Sequence, residues 1–151
     1  MRYHGRMPAP PSRLPPFKVR QLDHIVLRVV DLPRMMRFYI DALGCSLERA
    51  EETLGLYQLR AGNALIDLVP VGGKLGAKGG AAPAAEGRNL DHFCLAVEPF
   101  DAPAIVAHLR AHGAGPGEPA QRYGAQGEGP SIYLADPEGN AIELKGPPRA
   151  D

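Results

Sequence analysis

An α+β domain built from two tandem βαβββ modules is the fold class that this sequence of 151 residues predicts. The first observation behind it is an internal duplication. Leu22-Asp23-His24-Ile25-Val26-Leu27-Arg28-Val29 recurs as Leu90-Asp91-His92-Phe93-Cys94-Leu95-Ala96-Val97, with five of eight positions identical, and Gly62–Leu68 recurs, one residue shorter, as Gly139–Leu144. Similarity at a fixed offset is the mark of repeated units. The second observation is that each copy passes from a two-residue apolar period to a helical one and back, the pattern of strand, helix and strands.

The elements follow in order. Residues 22–29 alternate and are rich in Val, Ile and Leu, which reads as a strand. A helix comes next. Asp31 can accept from its first free N–H groups and Pro33 suits its first turn. Leu32, Met35, Met36, Tyr39 and Leu43 form a buried stripe, and Gly44 ends it. Short strands are placed at 46–51, 55–61 and 64–70. The second copy repeats the plan with a strand at 90–97, then a helix capped by Asp101, striped by Ile105, Val106 and Leu109, and closed by Gly113. Its remaining strands are placed at 119–123, 130–135 and 140–145, and Asp136-Pro137-Glu138-Gly139 supplies the turn before the last. The folded domain spans 21–146, as modules 21–71 and 89–146 joined by a Gly- and Ala-rich linker at 72–88, with a short tail at 147–151.

Residues 1–20 hold five prolines and five basic residues without one acidic residue, a composition that favours a flexible arm over a packed segment. Beyond it the chain has 12 basic against 17 acidic residues, which argues against a nucleic-acid surface and for a small-molecule partner. The sequence shows neither a long apolar run nor the apolar block of a secretory leader, so a cytoplasmic protein without membrane contact is expected. Cys45 and Cys94 lack the CxxC spacing of redox and zinc sites and read as reduced thiols.

Strand alternation decides which side chains share a face. Ile25, Leu27 and Val29 suit the side that the helix covers, which turns His24, Val26 and Arg28 the other way. By the same count His92, Cys94 and Ala96 oppose Phe93, Leu95 and Val97, Glu143 opposes Ile142 and Leu144, and Asp67 opposes Ile66 and Leu68. A single strand histidine is more often a hydrogen-bonded residue than a ligand. Here a histidine and a carboxylate recur at equivalent places in both copies, which points to a divalent metal held by His24, His92 and Glu143, with Asp67 as a further candidate. Nitrogen and oxygen donors without thiolate suit Zn, Ni, Co, Mn or Fe, one ion per site.

The segments LDHIVLRVVDLPRMMRFYIDALG and IYLADPEGNAIEL resemble the opening strand–helix and closing hairpin of the vicinal oxygen chelate superfamily, which includes glyoxalases, bleomycin resistance proteins and extradiol dioxygenases. The likeness covers about residues 21–146 and is strongest to the group of glyoxalase domain-containing protein 5 and its bacterial relatives. It implies a curved mixed sheet around a metal-binding cleft with helices outside. It also implies His24, His92 and Glu143 as ligands, with Asp67 where glyoxalase I enzymes carry a fourth ligand, usually glutamate. The activity implied first is that of a metal-dependent lyase or isomerase of the lactoylglutathione lyase kind. There the metal holds an enediolate while Glu143 or Asp67 moves a proton between adjacent carbons. An iron-dependent ring-cleaving dioxygenase is the alternative, and a drug- or metabolite-binding protein of the bleomycin-resistance type a third. A glutathione adduct as substrate would need cations, for which Arg28, Arg122 and Lys145 are candidates; Tyr123 and Tyr133 are further candidate contacts. Open sheet edges favour a homodimer.

Overall fold

The computed structural model describes residues 15–149. Most of the arm expected over 1–20, and the end of the tail expected over 147–151, lie outside the described residues; residues 15–20 are exposed and without regular structure.

The first module runs β1 (His24–Val29), α1 (Leu32–Arg37), β2 (Ser46–Glu51), β3 (Leu56–Ala61) and β4 (Ala64–Pro70). The second runs β5 (Phe93–Ala96), α2 (Ala102–Ala111), β6 (Ala120–Gly124), β7 (Gly127–Ala135) and β8 (Ala141–Lys145). Each makes a four-stranded mixed sheet, ordered β1-β4-β3-β2 and β5-β8-β7-β6. In both, the strand before the helix pairs parallel with the last strand and the rest pair antiparallel. The duplicated segments are therefore duplicated structure, as the paired βαβββ reading expects.

Local chemistry explains the elements. Asp31 and Asp101 cap their helices, each accepting from the N–H three residues on, at 3.1 and 3.2 Å. Gly44 and Gly113 follow with φ of 73° and 69°, the left-handed conformation that ends a helix. The first helix does not stay α-helical to its end: Phe38–Ala42 widen into a π turn. Both aromatics of the Phe38-Tyr39 pair are thereby buried, ring edge to ring face at 5.3 Å. β5 is shorter than the expected 90–97, so His92 sits just ahead of it, whereas β7 begins at Gly127 and folds onto β6 through Ala125 and Gln126. That hairpin occupies much of the glycine-rich stretch before residue 130.

The apolar stripes meet in one core. Leu27, Val29, Met35, Tyr39, Ile66 and Leu68 of the first module join Leu109, Ile132, Leu134, Ile142 and Leu144 of the second. Each such side chain contributes about 1.5–3 kcal/mol by leaving water. Polar contacts bind the modules further. Tyr39 donates its hydroxyl proton to Asp136 Oδ2 at 2.8 Å, and the Glu138 carboxylate accepts from the N–H groups of Val30 and Asp31 at 2.8–3.0 Å. Glu138 thus lies at the entry of α1, where an anion is favoured. The second module's tight turn grips the first module's helix.

Candidate functional site

The expected alternation is present in both sheets. Ile66, Leu68, Ile142 and Leu144 face the core, and the candidate ligands occupy the opposite faces. Those faces are not uniformly open: Asp67 and Glu143 are 3% and 6% exposed, against side-chain exposures of 47% for His24 and 32% for His92. The four also do not converge into one shell. Among the described residues, no three His, Cys, Asp or Glu side chains of the chain gather closely enough to hold a metal ion. They form two pairs, one on each sheet.

In the first pair Asp67 lies beside Val26 of β1 and Gln58 of β3, which donates to both its oxygens at 3.2–3.3 Å. His24 Nδ1 stands 2.6 Å from Asp23 Oδ1. The hydrogen bond to Asp23 raises the His24 pKa above its ordinary value, burial opposes it, and the negative field of Asp67 adds to the rise. In the second pair His92 Nδ1 stands 2.7 Å from Asp91 Oδ2, while its Nε2 lies 3.4 Å from Glu143 Oε1 and 3.3 Å from the Tyr133 hydroxyl. Burial, then Glu143, push the Tyr133 phenol up, so it remains protonated at neutral pH.

Asp23 and Asp91 were not among the candidates from sequence, although the signal was present in the repeated Leu-Asp-His. An ionised carboxylate that close to Nδ1 requires the proton there, and in a neutral imidazole this leaves the lone pair on Nε2. That is how metal-binding histidines are commonly oriented. The donor chemistry of each pair therefore fits a divalent ion, but each supplies only half a shell.

The remaining candidates divide. Arg28 donates to the carbonyls of Gly76, Gly80 and Ala81 at 2.9, 2.6 and 2.9 Å, which ties the linker's 3₁₀ turn (Gly76–Gly79) to β1. A Cβ at Gly79 would fall 2.3 Å from its Nε, so glycine there admits the guanidinium. Arg122 lies 4.7 Å over the Tyr133 ring and donates to Ser131 Oγ at 2.8 Å, so it holds Tyr133 in place. Tyr123, 84% exposed, and Lys145, buried, line a cavity of about 340 Å³ together with His92, Cys94 and Glu143. Burial, and then Glu143, raise the Cys94 thiol to about 11, so it stays protonated in that cavity.

Two βαβββ modules, each turning a histidine and a carboxylate to the face away from the core, define a tandem-repeat protein of the vicinal oxygen chelate type. The chain belongs to the glyoxalase/bleomycin resistance protein/dioxygenase superfamily, whose family model matches residues 21–144. It is 34% identical over 127 residues to glyoxalase domain-containing protein RDO1 of Mycosarcoma maydis, covering 83% of this chain and 68% of that one. Among solved structures it resembles an integron cassette protein from V. cholerae, with 28% identity, a TM-score of 0.69, and 86% of this chain and 97% of that chain covered. It also resembles a virulence protein from Salmonella typhimurium, with 27% identity, a TM-score of 0.69, and 87% and 99% covered.

Proposed function

We propose that the chain is a metal-dependent lyase or isomerase of the glyoxalase kind, acting on a small molecule at a site shared between two copies. The observation that carries this reading is the twofold Asp–His arrangement, which places the proton on Nδ1 and the lone pair on Nε2, Asp23–His24 beside Asp67 and Asp91–His92 beside Glu143, split between two sheets. In an isologous dimer the first sheet of one protomer faces the second sheet of its partner, and the two half-shells combine twice. Val26, half exposed on the same face as Asp67, gains cover in that arrangement, and the edge strands β1 and β5 gain neighbours.

His24, His92 and Glu143 would hold the ion, with Asp67 next to it. Bound there, a divalent ion of Zn, Ni, Co, Mn or Fe supplies Lewis-acid polarisation of a substrate oxygen. Asp67, which among the described residues accepts only two long side-chain hydrogen bonds from Gln58, keeps acceptor capacity and serves as the carboxylate that takes a proton from substrate carbon. Tyr133, protonated and braced by Arg122, donates a hydrogen bond into the same space.

The test is metal analysis and solution mass of the full chain purified without added metal, beside His24→Ala and Glu143→Ala. A dimer with one ion per chain, lost in both variants, is expected. Nickel, zinc or cobalt points to the lyase or isomerase, and iron to a ring-cleaving dioxygenase. A protein that takes up no ion even from excess metal would sink the catalytic reading in favour of a binding module.

A further inference from the structure

Of the three cations that were candidates from sequence, Arg28 is engaged by linker carbonyls and Arg122 by Ser131 and Tyr133. Lys145 differs. It ends β8 two residues after Glu143, and it is 7% exposed, an unusual burial for a lysine. Ser131 of β7 lies opposite it, and the lysine side chain runs over Gly124 of β6 and Gly129 of β7 and not outward, because neither glycine has a side chain in its path. A Cβ at Gly124 would come within 2.9 Å of its Cε and 3.0 Å of its Cδ, and one at Gly129 within 3.1 Å of its Nζ. Two glycines thus form a slot that the lysine fills.

Within the slot the ammonium donates to the carbonyl of Gly127 at 2.9 Å. Among the described residues no carboxylate pairs with it. An ammonium carries three donors, and a buried cation with a single carbonyl partner is poorly compensated. Lys145 also lines the cavity of about 340 Å³ that holds His92 and Glu143. We infer that Lys145 is the anion-binding group of the pocket and that the ligand is a small organic oxyanion, a carboxylate or phosphonate, seated on the ammonium beside His92. The inference deepens the site proposed above and rests on that cavity being the ligand's.

The test is calorimetric titration of the full chain with phenylphosphonate and with its neutral dimethyl ester, metal content being measured on the same samples. Loss of one charge-assisted contact weakens binding by about ten- to a hundredfold. Native protein is expected to bind the phosphonate in preference to the ester, and Lys145→Met to lose that preference with metal content unchanged. Gly124→Ala, which keeps the charge but intrudes on the lysine's path, is expected to weaken phosphonate binding in the same direction. Equal phosphonate affinity in native protein and both variants overturns the inference, as does failure of the native protein to bind phosphonate at millimolar concentration. If all samples lack metal and phosphonate binding still depends on Lys145, the metal reading fails and the anion site stands. If metal is held and Lys145 makes no difference, the anion site alone fails.

Discussion

Replacing Tyr39 by phenylalanine isolates the contact that ties the first helix to the second module. The ring is fully buried, and its hydroxyl donates to Asp136, itself 5% exposed. Phenylalanine keeps the packing and removes one hydrogen bond to a charged acceptor, worth about 1.5–3 kcal/mol. Asp136 retains the N–H groups of Glu138 and Asn140 and the Asn140 amide at 2.7–3.0 Å, so it is not orphaned and the low end applies, about 1.5–2 kcal/mol. At about 2–4 °C per kcal/mol, Tm falls by about 3–8 °C. The pH dependence makes the prediction sharper. Burial, then the negative Asp136, push the Tyr39 phenol far above its ordinary value of 10.0. The unfolded chain therefore releases that proton above about pH 10 while the folded chain keeps it. Tyr39's contribution is complete below that point and is lost at about 1.4 kcal/mol per pH unit above it. Guanidinium unfolding of native and Tyr39→Phe protein between pH 7 and 11 should show the variant less stable at pH 7 and the gap closing above pH 10. Parallel curves throughout would refute the reasoning.

Three further outcomes are expected. Asp91→Ala, which removes the acceptor at Nδ1 of His92, should weaken metal binding by about 10- to 100-fold without changing the fold, as read by competition with a chelating dye and by circular dichroism. Co-expressed His24→Ala and Glu143→Ala chains should form mixed dimers with one complete site and half the native metal, whereas either variant alone holds none; no recovery in the mixture would place the ligands within one chain. Arg28→Ala frees three linker carbonyls, so limited proteolysis should cut near Gly76–Ala81 several times faster, and unchanged cleavage would show the clamp to be idle.

How much of this was legible in the sequence depended on the range of the interaction. Alternation is local, so the faces of His24, Asp67, His92 and Glu143 followed from counting, as did caps at Asp31 and Asp101. β2 and β4 fell on the expected residues. What counting does not reach is which face meets which. The two pairs stand on separate sheets, and nothing in a period of two distinguishes one shared cleft from two half-sites. Arg28 was expected on the cleft face for a ligand, but its partners are carbonyls some fifty residues away, invisible to any pattern of side chains. Lys145 was a candidate for its charge alone; its slot depends on Gly124 and Gly129, brought beside it by pairing across three strands.

The turn at Asp136–Asn140 has a consequence for the history of the repeat. Its first-module counterpart, Ala61-Gly62-Asn63, carries no carboxylate, so the two copies have diverged where one now fastens the other. Separated from the back half, Tyr39 and the N–H groups of Val30 and Asp31 lose these acceptors; separated from the front half, Glu138 loses these two donors and Asp136 loses one of its four. The two copies are thus no longer interchangeable: one carries the clasp and the other the groups it closes on.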